Sequence, residues 1–472
     1  MAVDPDEWEI VIGLEVHTEL ATRTKLFCSA VNEFGGEPNT HIDPLTLGLP
    51  GSLPVLNEQA VELAIRVGVA LNCTVQRCTF ARKNYFYPDQ PTNYQISQFD
   101  LPINADGWLE LPSGQRVGIE RAHLEEDTGK STHIGGGGRI HDAQYSLVDL
   151  NRAGVPLLEI VGRPDLRSAE DAKAYVAELR SILVAVGASD GKMEEGSLRV
   201  DCNVSVRRRG EDELGTRCEI KNINSLRAMG RAIDYEAARQ VDLITSGEGV
   251  VQQTRHWNDA EGRTTLLRSK EDADDYRYFP EPDLVALDPG EEWVERVRAA
   301  LPMLPSARRH RLADTTGSDL EQTALIVERG LDDLCLATIE LGADPTRVLT
   351  HAEHNMSDER SLGVAPAAFA ELVAMEVDGK LTATQTKTVL AEMIDSGDGP
   401  ADIAARNGFE AMDTSALESV VDGLIGANPA EWQRFCDGDA KVTGFFVGQV
   451  MKATQGKADG KAVTALLNAR KP

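Results

Sequence analysis

Between Leu198 and Val206 the residues alternate with a strict period of two: Leu198, Val200, Cys202, Val204 and Val206 fall on one side, and Arg199, Asp201, Asn203 and Ser205 on the other. Successive side chains of a β-strand point to opposite faces, so this stretch predicts a strand with one apolar and one charged face. A single strand of this kind is read first as part of a sheet with one solvated side. Two more segments repeat the theme. In Ile10 to Leu20, Glu15, His17 and Glu19 oppose Leu14 and Val16; in Thr216 to Asn222, Arg217, Glu219 and Lys221 oppose Cys218 and Ile220. One sheet can thereby gather carboxylates, an imidazole and cations from distant parts of the chain.

Glu125, Glu126 and Asp127 add three carboxylates, followed at once by Thr128-Gly129-Lys130-Ser131-Thr132. Hard oxygen ligands in such number suit Mg²⁺, which keeps waters and bridges protein carboxylates to substrate phosphates. Nearby cations offset phosphoryl charge. The expectation is a Mg-nucleotide site on an open sheet face, weighed evenly against scattered surface charge. Gly129-Lys130-Ser131 resembles the end of a phosphate loop, but Leu124 stands where the first glycine of that motif belongs, so the pattern fails. Gly135 to Gly138 reads as a hairpin tip, since no strand-to-helix context surrounds it.

At 472 residues the chain exceeds what one core usually organises. Up to about Pro282 the pattern mixes short alternating runs with a few helices. Ser168 and Asp171 open one of them, with Val176, Leu179, Ile182, Leu183 and Val186 at helical spacing before Gly187. A second helix is expected from near Ser225 to the breaker at Ser246 to Gly249. Beyond Glu291 helix-like segments take over, and the run Ser396-Gly397-Asp398-Gly399-Pro400 reads as a linker to a small helical tail. The expected fold class is α+β, with domains at 1–292, 293–395 and 396–472. No apolar run approaches the ~20 residues of a membrane span, and no leader segment is evident, so a cytoplasmic location is expected. Seven cysteines without a C-x-x-C pair signal neither disulfides nor zinc, and Cys202 and Cys218 read as small buried hydrophobes.

The 76 acidic residues against 48 basic give a formal charge of −28, which taken alone argues against nucleic acid as a partner. Acid excess spread along the chain is also what keeps a protein soluble in concentrated salt, where the Debye length falls to ~3 Å at 1 M. Local clusters then decide. From Lys441 to Pro472, Lys441, Lys452, Lys457, Lys461, Arg470 and Lys471 face one acid, Asp459, beside the apolar Phe445, Phe446, Val447, Val450 and Met451. That is a compact basic surface suited to phosphates, against the plainer reading of a charge run without a ligand. Phe80, Tyr85, Phe86, Tyr87, Tyr94 and Phe99 crowd one stretch with Arg82, Lys83 and Asn84. It offers either a base-stacking surface or core packing.

Several longer strings are specific: Leu14-Glu15-Val16-His17, Arg82 to Asp89, Tyr94 to Asp100, Glu125 to His133, Asp149-Leu150-Asn151-Arg152-Ala153-Gly154-Val155-Pro156-Leu157-Leu158-Glu159-Ile160, Met193 to Asn203, Asp275 to Pro280 and Val447 to Ala453. In these the chain resembles the B subunits of aspartyl/glutamyl-tRNA(Asn/Gln) amidotransferases along essentially its full length. The resemblance implies a cradle domain bearing a kinase-like site, a helical domain, and a tail that touches tRNA. It implies ATP and Mg²⁺ as cofactors. It also implies two protein partners in a heterotrimer, a glutaminase that liberates ammonia and a small stabilising chain, together with mischarged Glu-tRNA(Gln) or Asp-tRNA(Asn).

By that resemblance Glu15, His17, Glu125 and Glu126 match the Mg²⁺ region, and Asp201 is added by extension. Lys83, Arg199 and Glu219 join the catalytic candidates from the charged segments; Lys130, Ser131, Lys221 and Asn84 are nucleotide contacts; Lys441, Lys452, Lys457 and Lys461 are tRNA contacts. Some relatives carry zinc-binding cysteines where this chain reads Cys28, Ala30, Asp43 and Thr46. One thiolate cannot hold a structural zinc, which needs four ligands, so none is expected. Two other readings stay open: a non-catalytic tRNA-binding module, and an ATP-dependent ligase acting on free amino acids.

Overall fold

The structure is a computed structural model that describes residues 3–135, 143–269, 276–409, 414–454, 458 and 460–471, without the side chains of 268, 269, 414–416, 440, 441 and 461. The chain forms two compact units, residues 1–307 and 308–472. Among the described residues no helix is long and apolar enough to cross a membrane.

Unit 1 opens with β1 (Trp8–Glu19), α1 (Glu58–Ala70), β2 (Thr74–Val75), β3 (Ala81–Asn84) and β4 (Tyr94–Ser97). It continues through β5 (Asn104–Glu110), β6 (Arg116–Glu126), β7 (Lys130–Ile134), β8 (Tyr145–Asp149), β9 (Pro156–Gly162) and α2 (Ala169–Ala185). It ends with β10 (Leu198–Arg208), β11 (Cys218–Ile223), α3 (Leu226–Thr245), β12 (Gln253–Asn258), β13 (Arg263–Ser269), β14 (Phe279–Pro280) and α4 (Gly290–Ala300). Nine strands make one sheet in the order β13-β12-β11-β10-β1-β9-β6-β5-β2. Among the described residues only β11 and β12 run parallel within it, so the sheet is mixed.

The three alternating segments found in the sequence are β1, β10 and β11, and they lie side by side in the order β11-β10-β1. Ile12, Leu14, Val16, Val200, Cys202, Val204 and Ile220 are buried with Val176, Leu179 and Leu183 of α2 and Ala232 and Ile233 of α3. Both helices start where their polar caps dictate. The Ser168 hydroxyl accepts from the Asp171 N–H at 3.0 Å and the Ser225 hydroxyl from the Ala228 N–H at 3.1 Å, each satisfying a first-turn donor. Helices therefore cover one face of the sheet and leave the charged face open.

A small sheet, β14-β3-β4, stands beside that face. Arg82 clamps Glu281, itself 3% exposed, through two bonds of 2.6 and 2.9 Å, and Asn84 donates to the carbonyls of Tyr276 and Arg277. These ties hold the strand following residue 275 against β3. β7 and β8 pair antiparallel; of the stretch Gly135 to Gly138, expected as a hairpin tip, 136–138 lie outside the described residues. Helix α4 packs Val297, Trp293 and Val294 on the core of unit 1.

Unit 2 is helical in its described residues. One core runs from Leu312 to Ala404 and a second from Leu417 to Leu467. Gly397 caps the helix Ala383–Ser396 at φ 74°, a left-handed conformation that suits glycine, and Pro400 starts the next helix, Pro400–Arg406. Because Ile403 and Ala404 of that helix are buried in the first core, the punctuated run is a tight turn inside it. Phe446 and Val450 of the basic tail are fully buried in the second core.

The alternation has a direct consequence for stability. Leu14→Ala, on the helix-covered face, is expected to cost ~2–5 kcal/mol in chemical denaturation of the full chain. A loss below ~1 kcal/mol would show that this face does not carry the core.

Candidate active site

Register builds the site. Pairing of β1 with β10 sets Glu15 opposite Asp201 and His17 opposite Arg199. On the other flank His17 lies opposite Glu159 of β9, and Glu159 opposite His123 of β6. Arg199, His17, Glu159 and His123 thus form one row across four antiparallel strands, close enough for side chains to interact. A ladder irregularity between Val200 and Cys202 locally shifts β11 against β10. There Lys221 bonds Asp201 and also lies 3.1 Å from Glu219.

Glu15, His17, Lys83, His123, Glu125, Glu159, Asp201, Glu219 and Lys221 line one cleft of about 350 Å³, walled also by Phe99, Tyr276 and Tyr278. Arg199 lines an adjoining hollow of about 440 Å³, which shares His17, Glu125, Asp201 and Lys221 with it. Glu159 is the hub: one of its oxygens lies 3.5 Å from His17 Nε2 and 3.5 Å from His123 Nε2. Lys83 reaches Glu125 at 3.4 Å. Asn203 donates to Glu15 at 2.9 Å, Thr254 donates to Glu219 at 2.8 Å, and Arg199 holds Asp127 at 2.6 Å.

Charge in this cleft is unevenly tolerated. Burial raises the Glu15 pKa, and Glu159, Glu219 and Asp201 raise it further by repulsion. Burial also pushes Glu19 up to about 7, with Asp127 adding to it. For Glu159 burial acts the same way, but His123, His17 and Lys83 outweigh it and hold this carboxyl well below its ordinary range. Burial depresses His123. It would depress His17 too, but the bond to Glu159 and the charges of Glu159 and Asp201 prevail and raise it. One carboxylate therefore sits between two imidazoles whose pKa values shift in opposite directions, His17 up and His123 down. Lys83 and Lys221 are held charged against burial, chiefly by Glu125 and by Asp201 respectively.

A metal fits this donor set. Ligand atoms of His123, Glu125 and Glu159 lie within 4.8 Å of one another. His123 turns Nε2 toward Glu159, at 3.5 Å, so this ring nitrogen stands on the carboxylate side of the group. Two carboxylates and one imidazole around solvent-accessible space suit a hard divalent ion that keeps part of its water.

Of the residues expected from sequence, Glu15, His17, Lys83, Glu125, Asp201, Glu219 and Lys221 converge on the cleft and Arg199 on the hollow beside it. Glu126 does not join them. As the neighbour of Glu125 on a strand it must point to the other face. There it accepts from the Ile96 N–H at 2.8 Å, lines a separate small cavity with Phe27 and Gln90, and burial raises its pKa to about 8. Lys130 and Ser131 do not join them either: both stand on β7, paired with β8, and line neither hollow. Asn84 spends its amide on the backbone of Tyr276 and Arg277. In unit 2, Lys452 is exposed on the helix Ala440–Ala453; Lys457 and the side chains of Lys441 and Lys461 lie outside the described residues.

His123 and Glu159 were missed by sequence reasoning. A signal existed for both. Arg121, His123 and Glu125 alternate with Ala122 and Leu124, and Glu159 is a lone charge inside the apolar run Leu157 to Val161.

Residues 10–295 match a family model described as the GatB/GatE catalytic domain, and residues 346–470 one described as the GatB domain. A relative from Corynebacterium glutamicum is 48% identical over 98% of this chain and 98% of its own length. Another, from Moorella thermoacetica, is 48% identical over 98% of this chain and 100% of its own. Both are named as the B subunit of an aspartyl/glutamyl-tRNA(Asn/Gln) amidotransferase. With such identity over nearly its whole length, the chain belongs to the family of B subunits of aspartyl/glutamyl-tRNA(Asn/Gln) amidotransferases.

Proposed function

We propose that this chain carries the ATP-using half of tRNA-dependent amidation, turning Glu on tRNA(Gln), Asp on tRNA(Asn), or both, into the amide. The observation that supports it best is the His123-Glu125-Glu159 donor group flanked by Lys83 and Lys221 on one open cleft. A carboxylate is a poor electrophile, because its charge and resonance oppose attack by ammonia. Transfer of the γ-phosphoryl group of ATP to a carboxylate oxygen gives an acyl phosphate, and ammonia then displaces phosphate to leave the amide. Mg²⁺, held by Glu125, Glu159 and His123 with Glu15 and Asp201 nearby, would neutralise phosphoryl oxygens. Lys83 and Lys221 supply fixed positive charge beside it, and Glu159, by raising the His17 pKa, favours a cationic form suited to a further anionic contact. Arg199, tied to Asp127, is placed to orient the aminoacyl end in the adjoining hollow.

Unit 1 is thereby assigned to ATP and the aminoacyl end, and the basic tail, including Lys452, to the tRNA backbone. A glutaminase partner supplies ammonia, and a small third chain makes up a heterotrimer working in the cytosol. We assign no zinc to the chain: of the four positions Cys28, Ala30, Asp43 and Thr46 only one carries a thiol, while Asp43 and Thr46 hydrogen-bond to each other.

Reconstitution with both partner chains, glutamine, Mg·ATP and each mischarged tRNA should yield amidated aminoacyl-tRNA, with ATP consumed only when mischarged tRNA is present. Binding of tRNA without ATP turnover would favour the non-catalytic module, and amidation of free amino acids the simple ligase. In that assay Glu15→Gln should lose at least ~100-fold in rate, while its unfolding midpoint in EDTA stays level or rises, because a repelled, desolvated carboxylate has been removed. Glu125→Gln and Glu159→Gln should each weaken Mg²⁺ or Mn²⁺ binding ~10–100-fold. Glu126→Gln, facing the other way, should leave that affinity within about twofold; equal losses at both glutamates would refute the assignment. Metal analysis of dialysed protein should find no stoichiometric zinc.

A further inference from the structure

Phe99 and Tyr278 stack face to face, ring centres 4.2 Å apart and planes within 7°. Tyr276 meets Tyr278 edge-on at 6.0 Å. All three rings wall the cleft that holds the carboxylates, yet Phe99 remains 46% exposed. The arrangement differs from the core aromatics of the same stretch: Phe80 is 3% exposed and packs edge-on against Phe27. A parallel pair with one ring open to a cleft offers an outer face to a third planar ring, and base–aromatic stacking is worth ~1–3 kcal/mol per base.

Lys83 joins this wall to the metal side. Its ammonium lies 3.4 Å from Glu125 and 5.2 Å from the centre of the Tyr276 ring. A ligand with phosphates at the carboxylate end and a flat heterocycle at the aromatic end would use both contacts of one lysine. The pair is also braced against collapse, since Tyr276 and Arg277 are pinned through their carbonyls by Asn84 and the segment is clamped by the Arg82–Glu281 pair.

Resting on the function proposed above, we propose that the Phe99–Tyr278 stack, with Tyr276 beside it, is the platform for an adenine ring entering the cleft. Two molecules of that reaction carry such a ring, ATP and the 3′-terminal adenosine of the charged tRNA, and the test separates them.

The probes are Mg·ATP and Mg·tripolyphosphate, the second having the phosphates without the base, bound to the full chain in its reconstituted complex. Phe99→Ala should lose about tenfold in ATP affinity with tripolyphosphate unchanged, and Phe99→Trp should restore it. If the base is instead the terminal adenosine, ATP affinity holds while the KM for mischarged tRNA rises about tenfold in Phe99→Ala and recovers in Phe99→Trp. Either result upholds the platform and names its occupant. Equal loss of ATP and tripolyphosphate, or no change in ATP affinity and KM, overturns it, provided the parent complex amidates tRNA. A parent complex that neither consumes ATP nor amidates tRNA overturns the function proposed above instead.

Discussion

The antiparallel register of β10, β1, β9 and β6 is the constraint on which the site depends. It brings Arg199, His17, Glu159 and His123 into one row from segments separated by as much as 182 positions, with Glu15 and Asp201 paired in the next. A slip of one residue in any of these strands would turn its polar set toward the helices and its apolar set toward water. Such a slip is opposed by burial of Leu14, Val16, Val200 and Ile160 in the core they share with α2 and α3. The packed face thus sets the geometry of the chemical one.

Concentrating Glu15, Glu125, Glu159, Asp201 and Glu219 in one cleft works against folding, and the strain is not shared evenly. Glu159 stays ionised because two imidazoles and Lys83 surround it, whereas Glu15, with three carboxylates about it, resists ionisation. Lys83 and Lys221 offset part of the repulsion, and a divalent ion with its phosphate ligand would offset more. An active site often keeps such unfavourable charge because it is satisfied only when substrate arrives. The net charge of −28 says little about this, since the balance is decided within a few ångströms of each group.

The parts of the fold most legible in the chain were those where local rules agree. Ser168 and Ser225 announced α2 and α3 because a capping hydroxyl bonds within its own turn. The alternation of Leu198 to Val206 announced β10 because strand period is local too. Glu126 faces away from the cleft because neighbours along a strand point to opposite faces, which adjacency in sequence does not reveal. Lys130 and Ser131 were drawn in by nearness to Glu125, but β7 belongs to a separate pair of strands. Glu159 was overlooked because an apolar run hides a single charge until its neighbours across the sheet are known.

The aromatic stretch makes the same point. Composition marked Phe80 and Phe99 alike, yet one is core and the other walls the cleft, and the stacking partner of Phe99 comes from Tyr278, far along the chain. By itself the sequence determined which faces are apolar, where the long helices begin, and which residue types are available for phosphate and metal chemistry, because these follow from periodicity and from interactions within a turn. Only the tertiary structure decided which of those residues meet. Strand order, the ladder shift beside Asp201 and the choice of Glu159 as the anion between two histidines arise from pairings between distant segments, for which local sequence carries no energy term.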